Sequence, residues 1–196
     1  MSETLTEQQL TTLKKLSANA AMESGTILGK WLRSPVNVQI DRVEVIPFES
    51  MMQQVGGADE PAVGLYLHVD KGISGCVLML LPEKSALRMV DLLTRKPDGT
   101  AKEFNSLAQS ALLETANILG CAYLNIFGKY VGVEVVPGTP SFTHDLTQSI
   151  LSSILMEQAM FQDQAVYCQV DFVQEDRKVD LNLFFLPIHS SLTELV

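Results

Sequence analysis

The sequence predicts an α+β fold in which two long helices pack on a mainly antiparallel sheet, as two pseudo-two-fold copies of one helix-strand-hairpin unit. Three observations predict it. Long amphipathic segments begin near residues 4 and 100, short apolar strands follow each of them, and similar short sequence segments recur in both halves. The chain has 196 residues, 46% of them hydrophobic, and no Pro/Gly/Ser-rich linker, so we expect a single domain made of two repeats, about 1–97 and 98–196.

The first repeat is predicted to begin with a long helix. Thr4 and Glu7 have the spacing of a capping box, and apolar residues then recur at helical intervals until Pro35 ends the helix after roughly 25 residues. Residues 36–46 alternate apolar and polar side chains with a change of phase near Asp41, which predicts a half-buried, bulged strand. The remaining predicted elements are a mobile loop over 48–64, a hairpin with strands at 65–69 and 76–81, and a short helix after Pro82.

The second repeat is predicted to carry the same elements. Thr100 and Glu103 have the spacing of another capping box, which opens the second long helix. The words that match between the repeats are 27–31 with 126–130, 43–47 with 133–137, and 80–87 with 185–192. Strands are predicted at 133–137, 150–155, 165–172 and 179–185, the last two joined by a charged turn.

Charge and composition exclude several classes of function. The net charge is −9, so we expect neither a nucleic-acid nor a membrane partner, and any charged partner should present basic groups. No signal peptide is visible, and the apolar run at 77–81 is too short to cross a bilayer. Cys76, Cys121 and Cys168 show no Cys-x-x-Cys spacing, which predicts reduced, mostly buried thiols in a cytoplasmic protein.

One face of the second long helix is polar. Ser110, Glu114 and Asn117 are separated by four and then three residues, so their side chains project from the same side of the helix. The opposite, buried side is predicted to consist of Leu112, Leu113, Ala116, Leu119, Tyr123 and Phe127. A solvated surface is the ordinary explanation of an isolated Glu-x-x-Asn pattern, so the spacing alone does not define a site.

Comparison of the two repeats distinguishes this polar face from an ordinary solvated surface. When 126–130 is set over 27–31, the polar face of the second helix falls opposite Thr11, Lys15 and Ala18 of the first. A cation stands where the second helix has an anion, and a methyl group where it has a carboxamide. The scaffold is therefore duplicated, whereas the polar constellation is not.

At this point the sequence resembles the CheC/CheX/FliY phosphatases of bacterial chemotaxis. Their signature is Asp or Ser, three residues, Glu, two residues, Asn, twenty-two residues and Pro, which Ser110, Glu114, Asn117 and Pro140 satisfy. The resemblance covers essentially the whole chain, and its length and duplication look most like CheC. The first repeat departs from the two-site CheC pattern, because Lys15, Ala18 and Asp41 stand at the Glu, Asn and Pro positions; Thr11, Lys15 and Ala18 form a degenerate first site.

The resemblance implies an activity. Such proteins hydrolyse the phospho-aspartate of CheY-like response regulators by placing a water, so Glu114 and Asn117 are the expected catalytic residues. Asn117 would orient the water, Glu114 would bind a lysine of the receiver domain, and Ser110 would support substrate binding. Pro140 would shape the adjoining loop. No cofactor or metal is expected on this chain itself, because the magnesium would sit on the receiver domain.

Other interpretations stay open at this stage. The resemblance also implies non-catalytic adaptors with the same fold, which would bind a receiver domain without turnover. CheC-like proteins pair with CheD, a deamidase, so a CheD-like deamidase is the alternative partner. His68, His144 and His189 are far apart in sequence, and each is predicted to be a strand, loop or turn residue. Cys121 is predicted to be a small buried helix residue rather than a nucleophile. Monomer and homodimer are both open.

Overall fold

A computed structural model of the chain describes residues 6–160 and 163–187. The helices are α1 (Glu7–Leu32), α2 (Met51–Gln54), α3 (Glu83–Leu93), α4 (Ser106–Val131) and α5 (Thr147–Gln158), with one 3-10 turn at Phe48–Ser50. The strands are β1 (Asn37–Pro47), β2 (Pro61–Lys71), β3 (Gly75–Pro82), β4 (Val136–Pro137), β5 (Ser141–Leu146), β6 (Gln164–Gln174) and β7 (Arg177–Pro187). This order confirms the predicted α+β class.

The seven strands of the described residues belong to one antiparallel sheet. Its order is β1-β6-β7-β3-β2, and β4 and β5 both pair with the outer side of β2. The hairpins β2-β3 and β6-β7 lie side by side in the centre, and the first strand of each half pairs with the hairpin of the other half. Each half of the chain therefore supplies strands to both sides of the sheet.

The strand register shows the pseudo-two-fold axis directly. Pro47, the last residue of β1, pairs with Gln164, the first residue of β6, and Leu146, the last residue of β5, pairs in the same way with Pro61, the first residue of β2. The axis passes through the centre of the sheet, between β3 and β7. The duplicated, pseudo-two-fold arrangement predicted from the sequence is confirmed.

Both faces of the central sheet are buried. On β3, Val77 and Met79 point into the core under α1 and α4, whereas Leu78 and Leu80 point into a second core with α5. This burial on two sides explains why the strand is a continuous apolar run rather than an alternating one. The helices α1 and α4 also pack against each other, and the Ser24 hydroxyl donates to the Leu119 carbonyl at 3.1 Å between them.

By length and hydropathy alone, α4 is the one helix of the described ranges that would qualify as a membrane span. However, 56% of its most apolar stretch is buried inside the protein. Its apolar side chains contact α1, α3 and the sheet. This is the pattern of a core helix.

The prediction of a strand at 150–155 is wrong, because this segment lies inside helix α5. Ile150, Leu151 and Ile154 are its buried residues, and Ser152 and Ser153 are exposed. Apolar residues at i, i+1 and i+4 fit one side of a helix, whereas a strand would bury alternate residues. The short length of the run concealed that period.

Both predicted capping boxes are also misplaced. Helix α1 starts after Thr6. The Thr6 hydroxyl accepts from the backbone N–H of Gln9, and the Gln9 side-chain oxygen accepts from the backbone N–H of Thr6. Thr4 lies outside the described residues. Helix α4 starts after Asn105, whose side chain accepts from Ala108 at 3.1 Å. Thr100 lies six residues before the first helical residue.

The predicted loop over 48–64 is partly structured. It contains the 3-10 turn, the short helix α2 with a fully buried Met51, and the start of β2. The predicted strand at 133–137 is reduced to Val136–Pro137. The bulged first strand, the central hairpin, α3 and the last hairpin are confirmed, with the bulge between Ile40 and Arg42.

The match between 43–47 and 133–137 is wrong as a structural equivalence. The strand register places residues 142–146, not 133–137, at the position that 43–47 occupies in the other half. The similar sequence at 133–137 therefore arises without an equivalent position in the fold. The matching word at 185–192 lies mostly outside the described residues.

The connection between the halves depends on Asp91. This fully buried carboxylate accepts from the backbone N–H groups of Thr100 and Ala101 at 2.9 and 2.8 Å. It thereby fixes the turn that leads from α3 into α4. By contrast, Asp98 in the same turn forms an exposed ion pair with Arg88.

We expect Asp91→Ala to lower the free energy of unfolding by about 1.5–3 kcal/mol, because two hydrogen bonds to a buried carboxylate are lost. Urea denaturation measures the change. The matched variant Asp98→Ala removes only an exposed pair and should stay within about 0.5 kcal/mol of wild type. Equal effects of the two substitutions would contradict the assignment.

Candidate functional site

The polar face predicted on the second long helix is present on α4. Ser110 and Glu114 are exposed and Asn117 is half-buried. On the opposite side, Leu112, Ala116, Leu119, Tyr123 and Phe127 are buried as predicted. Leu113 is a correction, because it is only half-buried and faces the polar side chains instead of the core.

A short loop forms the wall facing this helix. Residues 138–140 connect β4 to β5, and both strands pair with β2. The Gly138 amide donates to the His68 carbonyl at 2.8 Å, which fastens the loop to β2. An exposed ion pair between Lys71 and Glu134, at 2.8 Å, holds the segment that enters β4.

The helix face and the loop enclose an open cleft of about 510 Å³. Its lining residues are Ser110, Leu113, Glu114, Asn117, Pro137, Gly138, Thr139 and Pro140. Within this lining Glu114 is the only charged side chain. The structure thus brings all four residues of the predicted signature together, including Pro140 from the far end of the long spacer.

Gly128 allows the chain that returns from the end of α4 to lie close to that helix. After α4 ends at Val131, Gly132 adopts the left-handed conformation with φ of 74°, and the chain turns back so that the Val133 N–H donates to the Gly128 carbonyl. A Cβ atom on Gly128 would lie 2.7 Å from the Val133 carbonyl oxygen and from Val135. The closeness of helix and returning chain therefore requires glycine here.

The carboxamide of Asn117 has a partner on its own helix. The Cys121 Sγ lies 3.7 Å from Asn117 Oδ1, one turn further along α4. Burial raises the pKa of the Cys121 thiol. All three cysteines are free, as predicted, but Cys121 is half-buried rather than fully buried.

The corresponding region of the first half differs in both walls. Thr11 and Lys15 are exposed and Ala18 is half-buried, so the helix face is present without the acid or the amide. Across from it, β1 runs on as a single strand with only a bulge at Asp41, where the second half breaks into β4, loop and β5. The duplicated scaffold therefore presents two different surfaces.

Leu107 and Leu113 were missed as members of this surface. Leu107 is 62% exposed and lies three residues before Ser110, on the same side of α4. The signal was available in the sequence, because the repeat places Gln8 and Lys14 opposite these two leucines. The second half is thus more apolar as well as more acidic along this face.

The histidines lie elsewhere. His68 pairs with Glu157 at 3.1 Å and His144 pairs with Glu83 at 2.9 Å, both at partly exposed positions; His189 lies outside the described residues. Within 6–160 and 163–187, no group of three or more His, Cys, Asp and Glu side chains is arranged to hold a metal ion.

Solved structures with the same architecture identify the class of fold. FliY of Thermotoga maritima matches with a TM-score of 0.76 at 12% identity, over 98% of each chain. A chain of the FliG–FliM complex of H. pylori matches with a TM-score of 0.73 at 13% identity, over 96% of this chain and 100% of that one. A chain of the CheX–CheY–BeF3–Mg²⁺ complex of Borrelia burgdorferi matches with a TM-score of 0.55 at 13% identity, over 89% and 96%.

A sequence relative then narrows the class. The chain is 22% identical over 193 residues to CheY-P phosphatase CheC of Bacillus subtilis (strain 168), which covers 96% of this chain and 92% of the relative. No protein-family model matches the chain. The full-length similarity and the shared fold confirm the resemblance to the CheC/CheX/FliY family that the signature indicated.

We expect Gly128→Ala to destabilise the protein by about 1–3 kcal/mol, because the new methyl group would overlap backbone that cannot move freely. Thermal or urea unfolding measures the effect. The pseudo-symmetric variant Gly29→Ala is the control. Its Cβ would approach backbone atoms no closer than 3.3 Å, so we expect a clearly smaller loss. A larger loss at Gly29 would contradict this account of the chain that returns over Gly128.

Proposed function

We propose that the protein is a phosphatase for the phospho-aspartate of a CheY-like receiver domain, with one site at the cleft between α4 and the loop 138–140. The observation that carries this proposal is that Ser110, Glu114, Asn117 and Pro140 line one open cleft. The corresponding positions of the first half hold Thr11, Lys15, Ala18 and Asp41. The proposed activity therefore belongs to the second half alone.

The reaction would need no nucleophile from this chain. An acyl phosphate is already reactive, so the barrier falls mainly when a water is held in line with the bond that breaks. The Asn117 carboxamide can accept a hydrogen bond from that water and donate one to a phosphoryl oxygen without changing its protonation state. Its half-buried position limits the number of orientations that the side chain can adopt.

Glu114 would set the register of the two proteins. It is the only charged side chain that lines the cleft, and it lies one helical turn before Asn117. A carboxylate at this position would bind a lysine beside the receiver's phosphorylation site through a charge-assisted hydrogen bond. Ser110 would add a polar contact, and magnesium on the receiver would neutralise the phosphoryl charge. Lys15 of α1 would repel the same lysine.

The comparisons support this proposal at the level of the family. The similar Bacillus subtilis protein is named a CheY-P phosphatase. One structure of the same fold is a complex that contains CheX, CheY, BeF3 and Mg²⁺. The net charge of −9 also favours a partner that presents basic groups.

A non-catalytic adaptor is the second candidate. The likeness to a chain of the FliG–FliM complex favours it, because the same fold there belongs to an assembly of different composition. In that case Leu107, Leu113 and Glu114 would bind a receiver domain, or a CheD-like deamidase, without turnover. The CheD-like partner, the cytoplasmic location and the oligomeric state remain predictions.

The test is the decay of a phosphorylated CheY-like receiver, with magnesium, in the presence of the full chain. We expect wild type to accelerate decay and Asn117→Ala to lose about 100-fold or more of that acceleration, because the water is no longer placed. Glu114→Ala should instead raise the receiver concentration needed for half-maximal rate about tenfold, because a charge-assisted contact is lost.

Lys15→Ala is the matched control on α1 and should leave both rate and affinity unchanged. Affinity is measured separately with a beryllofluoride-loaded receiver, which cannot be hydrolysed. Wild type that binds this receiver tightly and leaves the decay of the phosphorylated form unchanged would favour the adaptor. A requirement for Lys15 would contradict the single-site proposal.

A further inference from the structure

The contact between Asn117 and Cys121 is a second distinctive feature of the α4 face. Cys121 Sγ lies 3.7 Å from Asn117 Oδ1, within the range of a hydrogen bond that involves sulfur. In the described part of the chain, the Cys121 thiol is the only group that hydrogen-bonds this carboxamide. The two side chains are four residues apart, so the helix itself brings them together.

The direction of this hydrogen bond follows from chemistry. A carboxamide oxygen only accepts, so the thiol must donate its proton to Oδ1. Burial raises the pKa of the Cys121 thiol, which keeps the proton on sulfur near neutral pH. The donor is therefore present under ordinary conditions.

We propose that Cys121 is a positioning residue that fixes the Asn117 carboxamide by donating to Oδ1, so that the amide N–H groups and the second lone pair of Oδ1 remain available in the cleft. This inference rests on the proposed function of Asn117. It assigns Cys121 no contact with substrate. Its effect is to reduce the rotation of the one side chain that has to hold a water in line.

The first half gives an internal comparison. The residues at the corresponding positions of α1 are Ala18 and Met22, which offer neither a carboxamide nor a thiol. Met22 is 55% exposed, so the position is accessible in that half without a polar role. The amide and its donor are thus present together in the half with the candidate site and absent together in the other.

The kinetic test is a double-mutant cycle in the full chain with the phosphorylated receiver. We expect Cys121→Ala to lower kcat about two- to fivefold with KM unchanged, which is the size of a weak S–H···O interaction. Cys121→Ser keeps a donor and should recover at least half of the lost rate. In the Asn117→Ala background, Cys121→Ala should change nothing further. The control Met22→Ala should behave as wild type.

A second measurement does not depend on activity. The side-chain amide of Asn117 gives its own NMR signals, and its order parameter should fall in Cys121→Ala and be largely retained in Cys121→Ser. If wild type proves inactive and this pattern is still observed, the positioning role stands and the phosphatase proposal fails. If Cys121→Ala changes neither the order parameter nor kcat, or if Ala and Ser reduce both equally, the positioning role is overturned.

Discussion

The antiparallel pairing of β3 with β7 at the centre of the sheet is the constraint on which the rest of the structure depends. Both strands are buried on both faces, so helices must cover the sheet from either side. The outer strands pair across the two halves of the chain. Strand β1 pairs with the hairpin of the second half, and β5 pairs with the hairpin of the first. Neither half could bury its own sheet without the other.

The same symmetry makes the candidate site an exception to its surroundings. An undisturbed repeat would give two equivalent helix faces beside two equivalent edge strands. Instead β1 continues past Asp41, whereas the second edge breaks at residues 138–140 and leaves a loop beside α4. The cleft therefore arises from a backbone difference at the sheet edge together with side-chain differences on the helix.

Regular elements were predictable because their signals are local. The length of α1, the bulge in β1 and both hairpins follow from periodicity and turn residues. The start of α4 was not predictable in this way. Thr100 has the spacing of a helix cap, but its backbone N–H donates to the Asp91 carboxylate, which is a tertiary contact. The helical period of α5 is carried by only three buried apolar residues. The equivalence of 43–47 with 142–146 exists in the strand register and not in the sequence.

The candidate site was predictable as a helix face but not as a cleft. The spacing of Ser110, Glu114 and Asn117 predicts that they lie on one side of the helix. The resemblance to the family signature added Pro140. The wall that Pro140 belongs to depends on the pairing of β4 and β5 with β2, which no local pattern encodes.

The fold by itself does not distinguish an enzyme from an adaptor, because chains at 13% identity share it in two complexes of different composition, FliG–FliM and CheX–CheY. The distinction has to lie in side chains that are dispensable for folding. Glu114 is exposed and would contribute to binding in either case, so it does not discriminate. Asn117 does distinguish an enzyme from an adaptor, since it is half-buried and uncharged and its side-chain oxygen accepts from Cys121. A fixed carboxamide adds little to protein–protein affinity, whereas for an in-line water attack its orientation decides the rate.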